Sequence, residues 1–256
     1  MKAADRAALN LAEELVLTSG YTSEGTALVS KMLGNKDFPY PKPLSLLKGL
    51  IGQVTEPDRG HIVLDFFAGT GTAGHAVMAL NDEDEGDRRF ILVSSSEASE
   101  QAPSRNIARQ VTRQRLAAAI DGYAYQGKGK IERVAGIACE FAYLRAERIP
   151  MERISLNLAH EQVWVALQLM HGEGLSPYAS GSAFQVLSSD DRASLIYLSV
   201  VEGDVLLTLR GWLEKNPARA VVYSWAPGAV SQALGDLDIV IEKVPDAITS
   251  KFGQLT

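Results

Sequence analysis

The 256-residue chain contains a single cysteine, Cys139, so neither an internal disulfide framework nor a cysteine-based zinc cluster is open to it. Cys139 reads as a small core residue. Long apolar runs are also missing, and nothing approaches the roughly 18 uninterrupted residues of a membrane helix. Charged residues precede any apolar run at the N-terminus, which argues against a signal peptide. A soluble, cytoplasmic protein without membrane contact is expected. A basic surplus is absent as well. With 25 basic and 31 acidic residues the net charge is −6, which does not suit a self-sufficient binder of duplex nucleic acid. What the chain does have is apolar content, 46%, ample for one large domain or two small ones.

The most informative stretch is His61-Ile62-Val63-Leu64-Asp65-Phe66-Phe67-Ala68-Gly69-Thr70-Gly71-Thr72-Ala73-Gly74-His75. Ile62, Val63 and Leu64 form the apolar run of a buried parallel strand, with Asp65 where the strand stops. Gly69 and Gly71 allow a sharp turn and close approach of a ligand, since neither carries a Cβ. Thr70 and Thr72 are candidate caps for a helix continuing through Ala76, Val77 and Leu80. Amide hydrogens at such a helix start are positively polarised and favour an anionic group. The spacing is not that of a phosphate loop, because no Gly-Lys-Ser/Thr follows. Gly69-x-Gly71-x-x-Gly74 instead matches the dinucleotide-type pattern, which alone is a weak signal.

Upstream, residues 5–17 and 26–33 read as helices, the second ended by Gly34-Asn35-Lys36. Three alternating prolines in Phe38-Pro39-Tyr40-Pro41-Lys42-Pro43 force an extended segment. Pro43 then opens a helix carrying Leu44, Leu47, Leu50 and Ile51. Downstream, residues 81–87 form an acidic turn without metal-ligand spacing, so no metal site is expected. Residues 88–93 are a second buried strand, and Glu97 follows its end. In open α/β folds that position often supplies an acid for ribose hydroxyls; a surface loop is the alternative. Residues 104–121 read as a helix, on which Arg105, Arg109 and Arg113 share a side and Arg115 lies nearby. That side is either a solvated face or a phosphate contact.

The wording Asp65-Phe66-Phe67-Ala68-Gly69-Thr70-Gly71-Thr72 resembles the S-adenosylmethionine-binding segment of amino-group DNA methyltransferases, with Thr70 in a serine position. Phe38-x-x-Pro41-Lys42-Pro43 followed by Leu44-x-x-Leu47 resembles the segment that precedes this loop in the same family. Gly71-Thr72-x-Gly74-His75-Ala76-Val77-x-x-Leu80-Asn81, then Asp87-Arg88-Arg89-Phe90-Ile91-Leu92-Val93, is similar to the modification subunits of type III restriction systems. The resemblance implies S-adenosylmethionine as cofactor. It places Phe38 and Lys42 at the methionine end, Pro43 in the same cofactor-binding segment and residues 65–72 around the donor, with Glu97 as the candidate ribose acid. The implied reaction is methyl transfer to the exocyclic amine of adenine in DNA, the base being flipped out of the duplex.

The family performs that chemistry with a D/N/S-P-P-Y/F/W loop. Of the ten prolines here no two are adjacent. Asp37-Phe38-Pro39-Tyr40 has phenylalanine where the first proline belongs. No catalytic residue is therefore assigned, and the chain holds the cofactor half without the chemistry half. DNA would be reached through a complementary chain, or a missing N-terminal region, bearing the catalytic loop and target-reading part.

Beyond residue 127 only pattern remains. Residues 131–144 read as strand-like. Residues 154–169 read as a helix on which His160 and Trp164 form a packed pair, with His171 just past it capping or facing water. Residues 183–187, 194–199, 221–225 and 239–244 read as strands, and 203–216 and 227–234 as helices. The expected fold is α/β: a partial Rossmann-like methyltransferase sheet followed by a smaller α/β domain. The divisions are a helical lead-in at 1–25, a cofactor-binding half-domain at 26–127, and a docking or dimerisation domain at 128–256. The latter would serve a homodimer or a restriction subunit. Two further classes stay open: a non-catalytic S-adenosylmethionine-binding regulatory or assembly subunit, and, more distantly, a nucleotide-binding oxidoreductase.

Overall fold

A computed structural model describes residues 20–34, 40–96, 98–146, 149–150, 153, 158–172, 174–188, 192–217 and 219–252. The candidate residues Phe38 and Glu97, and the helix expected at 5–17, lie outside them. The chain is a mixed α/β protein made of two compact units that divide after Tyr143.

The first unit begins with α1 (Thr22–Leu33), whose Gly25, Val29 and Met32 form a buried stripe. Gly34 ends it at φ 70°, in the left-handed conformation that a missing Cβ permits. Pro43 caps α2 (Leu44–Val54) from just outside the helix. The strand β1 (Ile62–Asp65) leads through the glycine-rich turn into α3 (Thr72–Asp84) and on to β2 (Arg89–Leu92), which lies parallel to β1. On the inner side Val63 and Phe90 pack with Leu44, Leu47 and Leu80 around Ile51, Ala76 and Val77. The acidic run is largely the end of α3. There Arg88, buried, bonds Asp84, Asn81 and Thr55 and fastens that helix end to the start of β2.

The expectation of a strand buried on both faces is corrected. Ile62, Leu64 and Ile91 share the other face of the two-stranded sheet and are 53%, 49% and 49% exposed. An apolar parallel strand is ordinarily covered on both sides. Here, among the described residues, helices cover only one.

The helix read from residue 104 is also corrected. A π-helical turn (Ala108–Thr112) precedes α4 (Arg113–Asp121). A hairpin follows, β3 (Tyr123–Gln126) against β4 (Ile131–Val134). Strand structure stops at Val134, not at residue 144, and the hairpin lies within the compact unit that ends at Tyr143. Cys139 is half-buried at the rim of the cluster around Met32, Met78, Leu116 and Ala119.

The second unit is a four-stranded sheet in the order β5 (Gln185–Leu187), β6 (Ser194–Leu198), β7 (Ala220–Ser224), β8 (Ile239–Lys243). Only β5 runs antiparallel to its neighbour. The strand β6 is buried throughout, as its continuous apolar run dictates. Leu195 and Tyr197 pack under α5 (His160–His171) and α8 (Val244–Phe252), while Ile196 and Leu198 pack under α6 (Gly203–Lys215) and α7 (Pro227–Leu234). The helix α8 begins where the last strand was expected to continue, with Pro245 in its first turn. His160 and Trp164 do not pair as expected: His160 Nδ1 meets the Tyr197 hydroxyl at 2.6 Å, whereas Trp164 Nε1 donates to the Ser176 carbonyl. His171 closes α5 and meets the Tyr223 hydroxyl at 3.1 Å through Nε2. Among the described residues no helix is long and apolar enough to cross a membrane, and no group of His, Cys, Asp or Glu is arranged to hold a metal.

Candidate functional site

The strand–turn–helix from β1 to α3 is held by bonds that follow from its residue types. The Asp65 carbonyl accepts from Val93 N at 2.8 Å, and Ala68 N donates to the Val93 carbonyl at 3.1 Å, so β2 continues to fasten the chain past the end of β1. The Asp65 side chain accepts from Phe67 N at 2.9 Å, an Asx-type turn that only a short polar side chain can make. Gly71 N closes the next turn on the Ala68 carbonyl at 2.6 Å.

Gly69 and Gly71 sit at φ 51° and 76°, the left-handed region where a Cβ is costly. A Cβ on Gly71 would also stand 2.8 Å from the Thr112 methyl group. Gly74 answers to packing instead, since its Cβ would lie 2.9 Å from a Leu92 methyl. No acceptor among the described residues takes the N–H of Gly69 or Thr70. Phe66 and Phe67 are exposed, Phe67 at 91%.

Thr70 and Thr72 do not cap α3. The cap position belongs to Gly71, without a side-chain bond. Both hydroxyls turn inward and accept from Nη1 of Arg115, at 2.9 and 2.7 Å. Arg115 is wholly buried, and burial pulls its guanidinium down to about 10, so it keeps its charge at neutral pH. Its Nε faces His75 Nδ1 at 3.4 Å. Burial first, then the charges of Arg115 and Lys48, pull His75 down to about 3. The imidazole is therefore neutral, with Nδ1 as the acceptor and the proton on Nε2.

That shift has a pH signature. The unfolded chain takes up the His75 proton near pH 6.5 and the folded one only near pH 3, so protonation between those values favours unfolding and stability falls as pH is lowered through the window. His75→Gln is expected to flatten this fall in urea unfolding compared at pH 7 and 4.5. Equal slopes in the two proteins would contradict it.

Of the expected site residues, 65–72 come together with Val93, Thr112 and Arg115. Lys42 is exposed and Pro43 buried, and the backbone of Pro41 and Lys42 runs against α1, the Pro41 carbonyl standing 2.2 Å from where a Gly25 Cβ would be. A cleft of about 510 Å³ lies elsewhere, lined by Glu24, Lys31, Lys48, Tyr123 and Tyr125 among others, and no residue of the turn borders it. Sequence reasoning missed Arg115 as a partner of the turn. Its signal was present: it stands four residues after buried Val111, on the inner side of the helical stretch.

The turn joins a strand to a helix through two left-handed glycines, and over this part of the chain the family model of the N6/N4-type DNA methylases matches residues 17–102. The chain resembles adenine-type DNA methyltransferases over that stretch. Among particular relatives, it is 48% identical over 75 residues to the Mod subunit of the type III restriction-modification enzyme StyLTI of Salmonella typhimurium. It is 43% identical over 76 residues to the EcoPI Mod subunit of Escherichia phage P1, and 40% identical over 79 residues to the type II methyltransferase M.KpnI of Klebsiella pneumoniae. These matches cover 29%, 30% and 31% of this chain but only 11%, 12% and 18% of the relatives.

Proposed function

We propose that this chain is the S-adenosylmethionine-binding portion of a site-specific DNA methyltransferase acting on the exocyclic amine of adenine, with β1 and β2 as part of a Rossmann-like sheet. The observation that supports this most is the turn at 65–72. Two left-handed glycines, amides of Gly69 and Thr70 that meet no acceptor among the described residues, and an α3 N-terminus form a cradle that suits the methionyl carboxylate and ribose of such a donor. Asp65, Phe66, Phe67, Ala68, Gly69, Thr70, Gly71 and Thr72 would hold it, with Phe38 and Lys42 on its methionine side and Pro43 and Glu97 completing the set. S-adenosylmethionine, when bound, supplies an electrophilic methyl group on a sulfonium. The part this chain plays is to bind and orient it.

Activating the amine falls to a D-P-P-Y-type loop. The chain has no adjacent prolines, so we assign that step to a complementary region or chain that also reads the target sequence. The bare face of Ile62, Leu64 and Ile91 is where helices of such a complement would pack, its further strands pairing at the sheet edges. The second unit is read as the docking or dimerisation part. The missing proline pair also favours a second reading, a donor-binding assembly or regulatory subunit of a restriction or defence complex. With labelled donor and DNA, the chain alone is expected to transfer no methyl group; incorporation would contradict the division of labour.

A further inference from the structure

Arg115 is buried without a carboxylate. Among the described residues no ion pair offsets its charge, and its Nη2 meets no acceptor. An uncompensated buried cation costs stability, and an apolar residue of similar volume fills such a place at least as well. Stability is therefore not what this side chain supplies. What it does supply is position: one nitrogen spans the hydroxyls of Thr70 and Thr72, more than 40 residues away in sequence.

Thr112 fastens the same turn independently, its Oγ1 donating to the Gly69 carbonyl at 2.7 Å. Thr112 and Arg115 are three apart, hence on one face of the helical stretch. The π-helical turn that ends at Thr112 sets the phase of that face, and such insertions commonly sit at functional places. Between them the two residues grip a carbonyl and both hydroxyls within four residues of the turn.

From this geometry we infer that Arg115 is a positioning residue for the cofactor turn, locking Thr70 and Thr72 inward so that the backbone between them is preset for the donor. The inference rests on reading the turn as the donor site.

The test uses the full chain with Arg115→Met and Arg115→Lys. Three quantities are read: thermal unfolding, amide hydrogen exchange at residues 69–72 without ligand, and calorimetric affinity for S-adenosylmethionine. The Met variant is expected to melt no lower than the parent, yet to exchange faster in the turn and bind the donor at least about tenfold more weakly, the scale of a lost charge-assisted hydrogen bond. Lysine keeps the charge and should recover part of both losses. Parental exchange and affinity in the Met variant would overturn the inference, as would equal losses in both variants accompanied by lower melting. Should the Met variant fail to fold, the Lys variant decides: intermediate exchange and affinity support the inference, and parental values in both overturn it. If the parent chain itself binds no donor, the donor reading fails while the exchange result still decides the positioning role.

Discussion

Asp65→Ala is expected to weaken S-adenosylmethionine binding by ~10–100-fold while leaving the chain folded. The range corresponds to one lost charge-assisted hydrogen bond of about 1.5–3 kcal/mol. The carboxylate accepts from Phe67 N and so sets the direction in which the chain leaves β1. Alanine keeps the backbone bonds to Val93 but leaves Phe66 and Phe67 free to turn away. Asp65 is only half-buried, so the cost to folding is small. Asp65→Asn retains an acceptor and should lose less. The check is calorimetric titration of both variants beside the parent, with circular dichroism as the control for folding. Parental affinity in Asp65→Ala would remove this residue from the site.

The second large effect is one of presence against absence. Mixed with a chain that carries a D-P-P-Y-type loop and a target-reading region, this protein is expected to methylate DNA where neither does so alone. The reasoning starts from β1 and β2, two parallel strands with Ile62, Leu64 and Ile91 facing solvent. At roughly 25 cal/mol per Å² of apolar surface, covering that face is a substantial favourable term for association. Leu64→Asp together with Ile91→Asp should therefore abolish the reconstituted activity. Donor binding by this chain should be spared, because the turn is held from the other side by Thr112 and Arg115. Full activity of the pair with both substitutions would place the interface elsewhere. No activity with any complementing chain would favour the assembly-subunit reading.

The strand, turn and helix of residues 62–84 were legible because each rests on short-range chemistry: a β-branched apolar run, glycines where φ is positive, and Gly74 where helix meets strand. The sheet of the second unit was legible for the same reason, since β6 reads as a continuous apolar run. What was not legible depends on distant partners. The inward turn of the Thr70 and Thr72 hydroxyls is decided by Arg115, which the sequence showed only as one more arginine on a helix whose basic side read as a solvated face or a phosphate contact. The exposure of Ile62 and Leu64 depends on what lies beside the strand, and apolar spacing alone implies a cover. The helix α8 was hidden because Val244 and Ile248 extend an apolar pattern already assigned to a strand, so that only Pro245 marks the change.

One measurement bears most directly on the cofactor turn: calorimetric titration of the unmodified chain with S-adenosylmethionine, run beside NAD. Saturable heat at one donor per chain, with none from NAD, is the result this account predicts. No heat from the donor at saturating concentration, or a stronger response to the nicotinamide cofactor, would contradict it.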